Sequence, residues 1–322
     1  MFIDNFLENL SEYKGRLGSL DVKESVNNWI NNFKYFNFNN IDILYTLLNN
    51  IKFVYDCEII ESFNKFISES NIDYKTIFLN NFGIKDESSY RIIKQINNKI
   101  KTSFDIHELL HNVKDSSKLY FVDDFLVSGG QFISIIKSFF SDNDNRIELN
   151  LSKSEIDIFR KINKIFFFYK GTEAGLKKAN EILQYYKLEK SSRIEVVNKF
   201  IIDKTLFGNI VDNKVKNIQE SIFFNCATKK EIENFYEILK FVGGQLLKQN
   251  KPHWTDERIN NSFLGYGNSG QLIFGEHNVP TCTLTSLWMG GDIIFNGKSF
   301  KWQPLVFRKE KKLIQTEHIS YS

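Results

Sequence analysis

Cysteine, net charge and long apolar runs are all scarce in this chain. The 322 residues include three cysteines, Cys57, Cys226 and Cys282, which are far apart and form no CxxC pair. Neither a disulfide framework nor a zinc site is therefore supported. The formal net charge is +3, which is too small to indicate nucleic-acid binding by itself.

Membrane and secretion signals are missing as well. No run of about 18 apolar residues occurs, so we expect no membrane span. The N-terminal stretch "MFIDNFLENLSEYKGR" has no basic region followed by an apolar one, so we expect no signal peptide and a location in the bacterial cytoplasm. No Ser/His/Asp triad, HExxH or Walker lysine is visible. We interpret His107 and His253 as structural or surface groups.

What the chain does contain is periodic apolar sequence, typical of a folded protein of one large domain or two smaller ones. In "VKESVNNWINNFKYF" the residues Val22, Val26, Trp29, Ile30 and Phe33 follow helical spacing. The stretches "IDILYTLLNNIKFV" and "EIIESFNKFISES" repeat that pattern. Residues 1–72 are therefore predicted to be an N-terminal helical region, with Trp29 in its core.

Residues 73–215 alternate between strand-like and helix-like stretches. Three strand–turn–helix units are predicted, with turns after Leu79, after Val122 and, following a strand at about Lys164–Tyr169, at Gly171 before a helix from Glu173. A further helix is predicted in "FDIHELLHNV". This alternation predicts an α/β fold with a parallel sheet, whose ligands bind beyond the carboxyl ends of the strands. The three turns should therefore lie on one rim of the sheet.

The region 216–308 is predicted to be a long helix, "KKEIENFYEILKFVGGQLLKQN", followed by a β-containing hood of short strands. Asn278, Pro280, Thr283 and Trp288 are expected to form a rigid turn. His277 and Trp288 could stack on a base or close the hood over a site; alternatively, Trp288 packs with Trp302 in a small β layer. Residues 309–322 are predicted to be a basic, polar tail.

One stretch in the middle of the chain, "KLYFVDDFLVSGGQ", combines acids with a small-residue turn. Two adjacent carboxylates at the end of a buried strand are costly unless ribose hydroxyls or a magnesium ion satisfy them. The turn that follows enters a helix, where backbone N–H groups can bind phosphate. The candidate site residues are Asp123, Asp124, Ser128, Gly129, Gly130 and Gln131.

The run from Leu119 to Gln131 resembles the signature of the type I phosphoribosyltransferases, in which a strand leads to two acids and then to Thr-Gly-Gly-Thr. The resemblance implies a phosphoribosyltransferase-like core that binds 5-phosphoribosyl-1-pyrophosphate (PRPP) with Mg²⁺. Asp123 and Asp124 would be catalytic, holding the ribose hydroxyls and the metal, and Ser128 to Gln131 would hold the 5′-phosphate. Ser128 and Gln131 depart from the usual threonines. The alternative is a solvated Asp-Asp turn in another doubly wound sheet.

The same resemblance gives two further expectations about the rim. A loop upstream would hold pyrophosphate, and by order "NNFGIKDESSYR" takes its place, with Lys85, Ser88 and Ser89 as contacts. The alternative is an ordinary N-capped helix. The acceptor side is expected to involve the loop after the next strand together with the hood. The candidates there are Lys170, Thr172, Glu173, His277 and Trp288.

Over residues 20–308 the chain resembles phosphoribosyltransferase-like proteins of bacterial conflict and phage-defence gene clusters. This implies phosphoribosyl transfer to an unknown nitrogen acceptor in anti-phage defence. The alternative is an inactive module that senses PRPP or a nucleotide, or that binds a partner protein encoded in the same cluster. A homodimer is a further expectation. The low charge and few arginines argue against direct nucleic-acid binding, although "FRKEKK" could contact phosphates.

Overall fold

The computed structural model describes residues 3–70, 77–80, 88–96, 101–102, 105–113, 118–142, 149–200, 206–207, 209–211 and 214–308. Over these residues helices and strands alternate, and the longer strands form a parallel sheet. The chain is therefore an α/β protein, as the alternation of sequence patterns predicts. No helix among the described residues is long and apolar enough to span a membrane.

The N-terminal region is helical, with two short strands that the sequence did not predict. Its elements are α1 (Asp4–Ser11), β1 (Arg16–Leu17), α2 (Val22–Asn31), α3 (Ile41–Asn49), β2 (Lys52–Val54) and α4 (Asp56–Glu69). The expectation of a helical pattern up to Val54 was wrong. Two asparagines, poor helix formers, end α3, and the "KFV" segment pairs in parallel with a strand of the hood.

The central region forms a five-stranded parallel sheet. Its elements are β3 (Ile77–Asn80), α5 (Ser88–Gln95), β4 (Lys101–Thr102), α6 (Ile106–Asn112), β5 (Lys118–Leu126), α7 (Gly130–Phe139), α8 (Lys153–Lys161), β6 (Asn163–Thr172), α9 (Glu173–Tyr185) and β7 (Ser192–Phe200). The strand order is β4-β3-β5-β6-β7, and each neighbouring pair is parallel.

Apolar side chains cover both faces of this sheet, as expected for parallel strands. On one face Leu119 and Phe121 pack with helices α6 to α9; we call this the α7-face core. On the other face Tyr120 and Val122 pack with α4, α5 and the hood; we call this the α4-face core. Alternate residues of β5 therefore enter opposite cores, which explains its continuous apolar run.

Two predicted strand ends were too early. β5 continues past Val122 through both acids to Leu126, and β6 continues past Tyr169 to Thr172. Gly171 therefore lies inside a strand, and α9 begins directly at Glu173 without a turn. The register explains this extension, because Phe125 pairs with Lys170 and Leu126 with Gly171, so each strand prolongs the other.

The C-terminal region begins with a small hairpin and the long predicted helix, which starts with a capping box between Thr228 and Glu231. The hood follows and contains short helices as well as strands. The elements are β8 (Asn209–Val211), β9 (Lys214–Asn217), α10 (Lys229–Asn250), α11 (Asp256–Asn260), β10 (Ile273–Gly275), α12 (Thr285–Trp288), β11 (Gly291–Phe295), β12 (Lys298–Trp302) and β13 (Val306–Phe307).

The N-terminal helices and the C-terminal region share one hydrophobic core, which we call the terminal core. Trp29 and Trp302 are both fully buried in it, and the indole N–H of each donates to the carbonyl of Ser286. Strand β1 pairs with β13, and β2 pairs with β10. The first and third predicted regions are therefore packed together, whereas the predicted domain boundaries themselves stay predictions.

Candidate functional site

The acid-bearing strand lies where the sheet reverses its winding. Taken in chain order, the five strands are arranged 2-1-3-4-5, so the connections from β3 and from β5 lead in opposite directions. Helix α5 lies on the α4 face and helices α7 and α9 on the other. In doubly wound sheets a ligand crevice opens at such a switch point, beyond the carboxyl ends of the two strands. Asp123 and Asp124 belong to the carboxyl-terminal half of β5.

The two acids interrupt the regular alternation of β5. Phe121 enters the α7-face core and Val122 the α4-face core, but Phe125 packs against the α4-face core again, only three residues later. The Asp123 carboxylate accepts the N–H of Asp124 at 3.0 Å, and the Asp124 carboxylate accepts the N–H of Phe125 at 2.8 Å. Asp123 is 6% exposed, so its charge requires polar compensation.

The Ser-Gly-Gly turn follows β5 and opens helix α7. Gly129 has φ +69° and is the N-cap of α7, so the N-cap residue itself offers no side chain to the helix end. The Ser128 hydroxyl accepts the N–H of Gly130 at 3.2 Å. A Cβ on Gly129 would lie 3.1 Å from the Gly175 carbonyl oxygen and 3.2 Å from the Lys178 Cβ. Glycine therefore provides both the left-handed backbone and the close approach to α9.

The junction between β6 and α9 holds this turn in place. The Thr172 side chain is 2% exposed, donates to the Val127 carbonyl at 2.5 Å and accepts the N–H of Gly175 at 2.8 Å. A Cβ on Gly175 would lie 2.5 Å from the Val127 carbonyl oxygen, so α9 begins in contact with the turn. The structure thus places Thr172 beneath the candidate phosphate loop, and the Glu173 side chain is exposed beside it.

Lys170 lies at the same rim, paired in register with Phe125. Its ammonium lies 5.7 Å from the centre of the Tyr169 ring. Burial lowers the pKa of Lys170, the positive charge of Lys52 lowers it further, and the Glu58 carboxylate opposes both. The prediction that Lys170 lines the acceptor side is compatible with this position at the end of β6.

One tight turn of the hood contacts Phe125, the residue that follows the acid pair. The N–H of Gly275 donates to the Asn278 carbonyl at 2.9 Å, and a Cβ on Gly275 would lie 3.3 Å from the Phe125 ring. His277 belongs to this turn and is therefore close to the residue that follows the acid pair. Burial and the charge of Arg91 lower the pKa of His277, although Asp56 and Glu276 act in the opposite direction. The neutral imidazole is thus favoured.

His277 belongs to a polar cluster that the sequence did not predict, which we call the hood-base cluster: Lys14, Asp56, Arg91, Glu276 and His277. Asp56 and Glu276 are buried, and Glu276 accepts the N–H of Asp56 at 2.8 Å. Carboxylate and imidazole ligand atoms of Asp56, Glu276 and His277 lie within 4.8 Å of one another. Lys14 and Arg91 already compensate the two carboxylates, so the cluster lacks the excess negative charge that favours a divalent cation.

The remaining predicted site residues lie partly outside the described structure. Lys85 is not among the described residues, and Ser88 and Ser89 are described only as the first backbone residues of α5. The expectation that Trp288 forms part of a rigid turn was wrong, because it ends the short helix α12. Its indole N–H donates to the Thr283 carbonyl, and its ring packs against the terminal core and Arg308.

Comparison with known proteins gives one match. No curated protein and no solved structure matches the chain. The model of the PRTase-CE family matches residues 26–308, which include most of α2 and all of α3 and α4, the sheet with its acid pair, and the hood. The resemblance to phosphoribosyltransferases is therefore confirmed at the level of the family. The chain belongs to the PRTase-CE family, a phosphoribosyltransferase-like family.

Proposed function

We propose that the protein binds PRPP with Mg²⁺ at the carboxyl end of β5 and transfers the phosphoribosyl group to a nitrogen acceptor. Family membership supports a phosphoribosyltransferase-like function. The observation that carries the finer proposal is the order of features along one short segment. At the switch point the buried Asp123 and the half-buried Asp124 are followed by a short turn and by a helix whose N-cap is a glycine.

The acids suit the sugar and the metal. Asp123 and Asp124 would accept hydrogen bonds from the ribose hydroxyls, which compensates carboxylates that are wholly or partly withdrawn from water. Carboxylate oxygens are also suitable ligands for Mg²⁺, which would neutralise charge on the pyrophosphate. The turn suits the 5′-phosphate, because the first turn of a helix presents N–H groups that its own carbonyls do not accept.

In the proposed reaction the bond between the anomeric carbon and pyrophosphate breaks, and a bond from the acceptor nitrogen to that carbon forms. The acceptor loses a proton and pyrophosphate leaves with the bonding electrons. Positive charge develops at the anomeric carbon, so nearby carboxylates stabilise the transition state. Lys85, Ser88 and Ser89 would bind pyrophosphate. Lys170, Glu173, His277 and Trp288 would lie toward the acceptor, and Thr172 would hold the loop from below.

A second candidate is a sensor that binds PRPP or a nucleotide without transfer. The contact between Gly275 of the hood and the Phe125 ring favours it, because a ligand at the acids would press on a segment of the hood. A partner protein from the same gene cluster could then bind with an affinity that depends on the position of the hood. Under either candidate we propose an anti-phage role in the bacterial cytoplasm, and we propose a homodimer.

Calorimetric titration of PRPP with and without Mg²⁺ tests the site. The double variant Asp123→Asn, Asp124→Asn should bind at least about 100-fold more weakly, because each lost charge-assisted hydrogen bond costs about 1.5–3 kcal/mol. Asp157→Asn, an exposed acid on α8, is the matched control and should bind as the wild type does. Folded wild-type protein that binds neither PRPP nor a nucleotide would refute both candidates.

Pyrophosphate release separates transfer from sensing. Wild-type protein with PRPP–Mg²⁺ and a panel of nitrogen nucleophiles should release pyrophosphate, and the double variant should not. Tight binding with no release across that panel would favour the sensor.

A further inference from the structure

A lysine of α9 stands beside the turn that follows β5. Lys178 is in the second turn of α9, and its Cβ would lie 3.2 Å from a Cβ on Gly129. The side chain is exposed. The backbone of the Ser-Gly-Gly turn and the stem of this lysine are thus in direct contact, although 49 residues apart in sequence.

The ammonium of Lys178 reaches from α9 to a residue of the hood. It donates to the Tyr266 hydroxyl at 2.9 Å. Tyr266 belongs to the hood, where it begins the short 3₁₀ turn Tyr266–Asn268 and packs against the α4-face core. The contact therefore joins a helix on the α7 face of the sheet to the hood, which packs on the opposite face. An exposed lysine loses rotamer freedom in such a contact, which the hydrogen bond to Tyr266 partly offsets.

The groups around this contact are hydrogen-bond donors and positive charges, which favour an anion. An ammonium has three N–H donors, of which Tyr266 accepts one. The first turn of α7 adds backbone N–H groups, of which Ser128 accepts that of Gly130, and the positive end of a helix dipole. Donors and positive charge therefore lie on the α7 and α9 sides of this turn, which suits a compact dianion.

We propose that Lys178 and Tyr266 form the outer wall of a phosphomonoester subsite on the Ser-Gly-Gly turn, and that a bound sugar phosphate joins the hood to the sheet through them. Lys178 pairs with a phosphate oxygen that the α7 amides also hold, and Tyr266 orients the ammonium and donates its own hydroxyl. The inference rests on the proposed function, since it assigns two new residues to the 5′-phosphate end of that site.

Lys177 provides a matched control. It is the preceding residue on α9 and is also exposed, but successive helical residues point about 100° apart. Lys177→Met and Lys178→Met therefore remove the same charge from the same helix, and only the second removes it from the turn. Tyr266→Phe removes the hydroxyl and keeps the ring.

The experiment measures binding of ribose 5-phosphate, of Mg²⁺–pyrophosphate and of PRPP–Mg²⁺ to the full chain by calorimetry. Lys178→Met should weaken binding of ribose 5-phosphate about tenfold, as expected for loss of one charge-assisted hydrogen bond. Its binding of Mg²⁺–pyrophosphate should stay within about twofold of the wild type. Lys177→Met should leave both affinities unchanged, and Tyr266→Phe should weaken ribose 5-phosphate binding by a smaller factor, about threefold.

Three results would overturn the inference. If both lysine variants bind ribose 5-phosphate equally, Lys178 has no special role, and PRPP binding by the wild type would still uphold the proposed function. If Lys178→Met weakens ribose 5-phosphate and Mg²⁺–pyrophosphate alike, the effect is not local to the phosphate. If the folded wild type binds none of the three ligands, the proposed function fails and this inference fails with it.

Discussion

Helices α7 and α9 begin at the same rim of the same sheet, yet their N-termini are treated differently. At α9 the strand runs directly into the helix, and Thr172 caps the N–H of Gly175 while it donates to the neighbouring turn. At α7 a short turn intervenes, and the N-cap is Gly129, which has no side chain to offer. A threonine side chain caps the start of α9, whereas at α7 the N-cap residue is a glycine and the Ser128 hydroxyl accepts the N–H of Gly130.

The comparison indicates different roles for two similar strand–helix junctions. At the α9 junction Thr172 and Gly175 are buried and are hydrogen-bonded to each other and to Val127, so this junction supports its neighbour. The α7 junction brings backbone N–H groups and adjacent carboxylates to the switch point, and it contacts α9 through Gly129. Under the proposed function, ligand binding and mechanical support are divided between adjacent strands.

The most disruptive test breaks the contact between the two junctions. Gly175→Ala would place a Cβ 2.5 Å from the Val127 carbonyl oxygen and 2.6 Å from that of Leu126. Because backbone cannot move aside cheaply, we expect a loss of about 3 kcal/mol in the free energy of unfolding, the upper end of the overpacking range. Urea denaturation measures it.

The control for that substitution is Gly244→Ala in α10, where an added Cβ meets no described atom within 4 Å. There, alanine should stabilise the helix by up to about 1 kcal/mol. If the two variants are equally stable, the turn is not pressed against α9.

A smaller effect should follow from removing the cap of α9. Thr172→Val keeps the shape but loses the cap and leaves the Val127 carbonyl without its donor. We expect the free energy of unfolding to fall by about 2 kcal/mol, from about 1 for each interaction. Thr172→Ser retains the hydroxyl and should cost clearly less. PRPP binding should weaken in Thr172→Val because the turn loses its support, and unchanged binding would show that the turn holds its shape alone.

The smallest expected effect concerns the hood, which contacts Phe125 next to the acid pair. The pKa of His277 is lowered in the folded protein, chiefly by burial. Between that lowered pKa and the ordinary value of about 6.5 the unfolded chain binds more protons. Stability should therefore fall as the pH drops through this window. His277→Gln should flatten the dependence in thermal unfolding measured from pH 7 downward, and an equal slope in both proteins would assign it to other groups.

Local sequence patterns predicted β3, β5 and β6 of the sheet but neither β4 nor β7, and they predicted the strand ends poorly. The apolar run from Leu119 to Val122 indicated a buried strand, but its continuation through two acids depends on pairing with β6, about 45 residues away. The same holds for Gly171, which a turn preference placed outside the strand. Pairing overrides such preferences because each added residue gains ladder hydrogen bonds.

Some residues of the candidate site could likewise be predicted from the sequence and others could not. Acids, glycines and the helix start are consecutive, so their chemistry could be predicted from one segment. The hood-base cluster could not, because its members come from four segments, and Lys14 pairs with Glu276 across 262 positions. No pattern in the sequence around Lys178 predicts a site there, and only the fold brings Lys178 beside Gly129.

The terminal core has a consequence for how the chain is made. Its apolar residues come from the first 51 residues and from residues 206–306, and Leu17 pairs with Val306. During synthesis on the ribosome, the apolar faces of the N-terminal helices therefore stay uncovered until residues 206–306 have been made. All five strands of the sheet are present by residue 200, although Ile273 and Cys282 of the hood also cover part of its α4 face. Nascent chains that stall before the hood should therefore expose the apolar faces of the N-terminal helices, where chaperones can bind them.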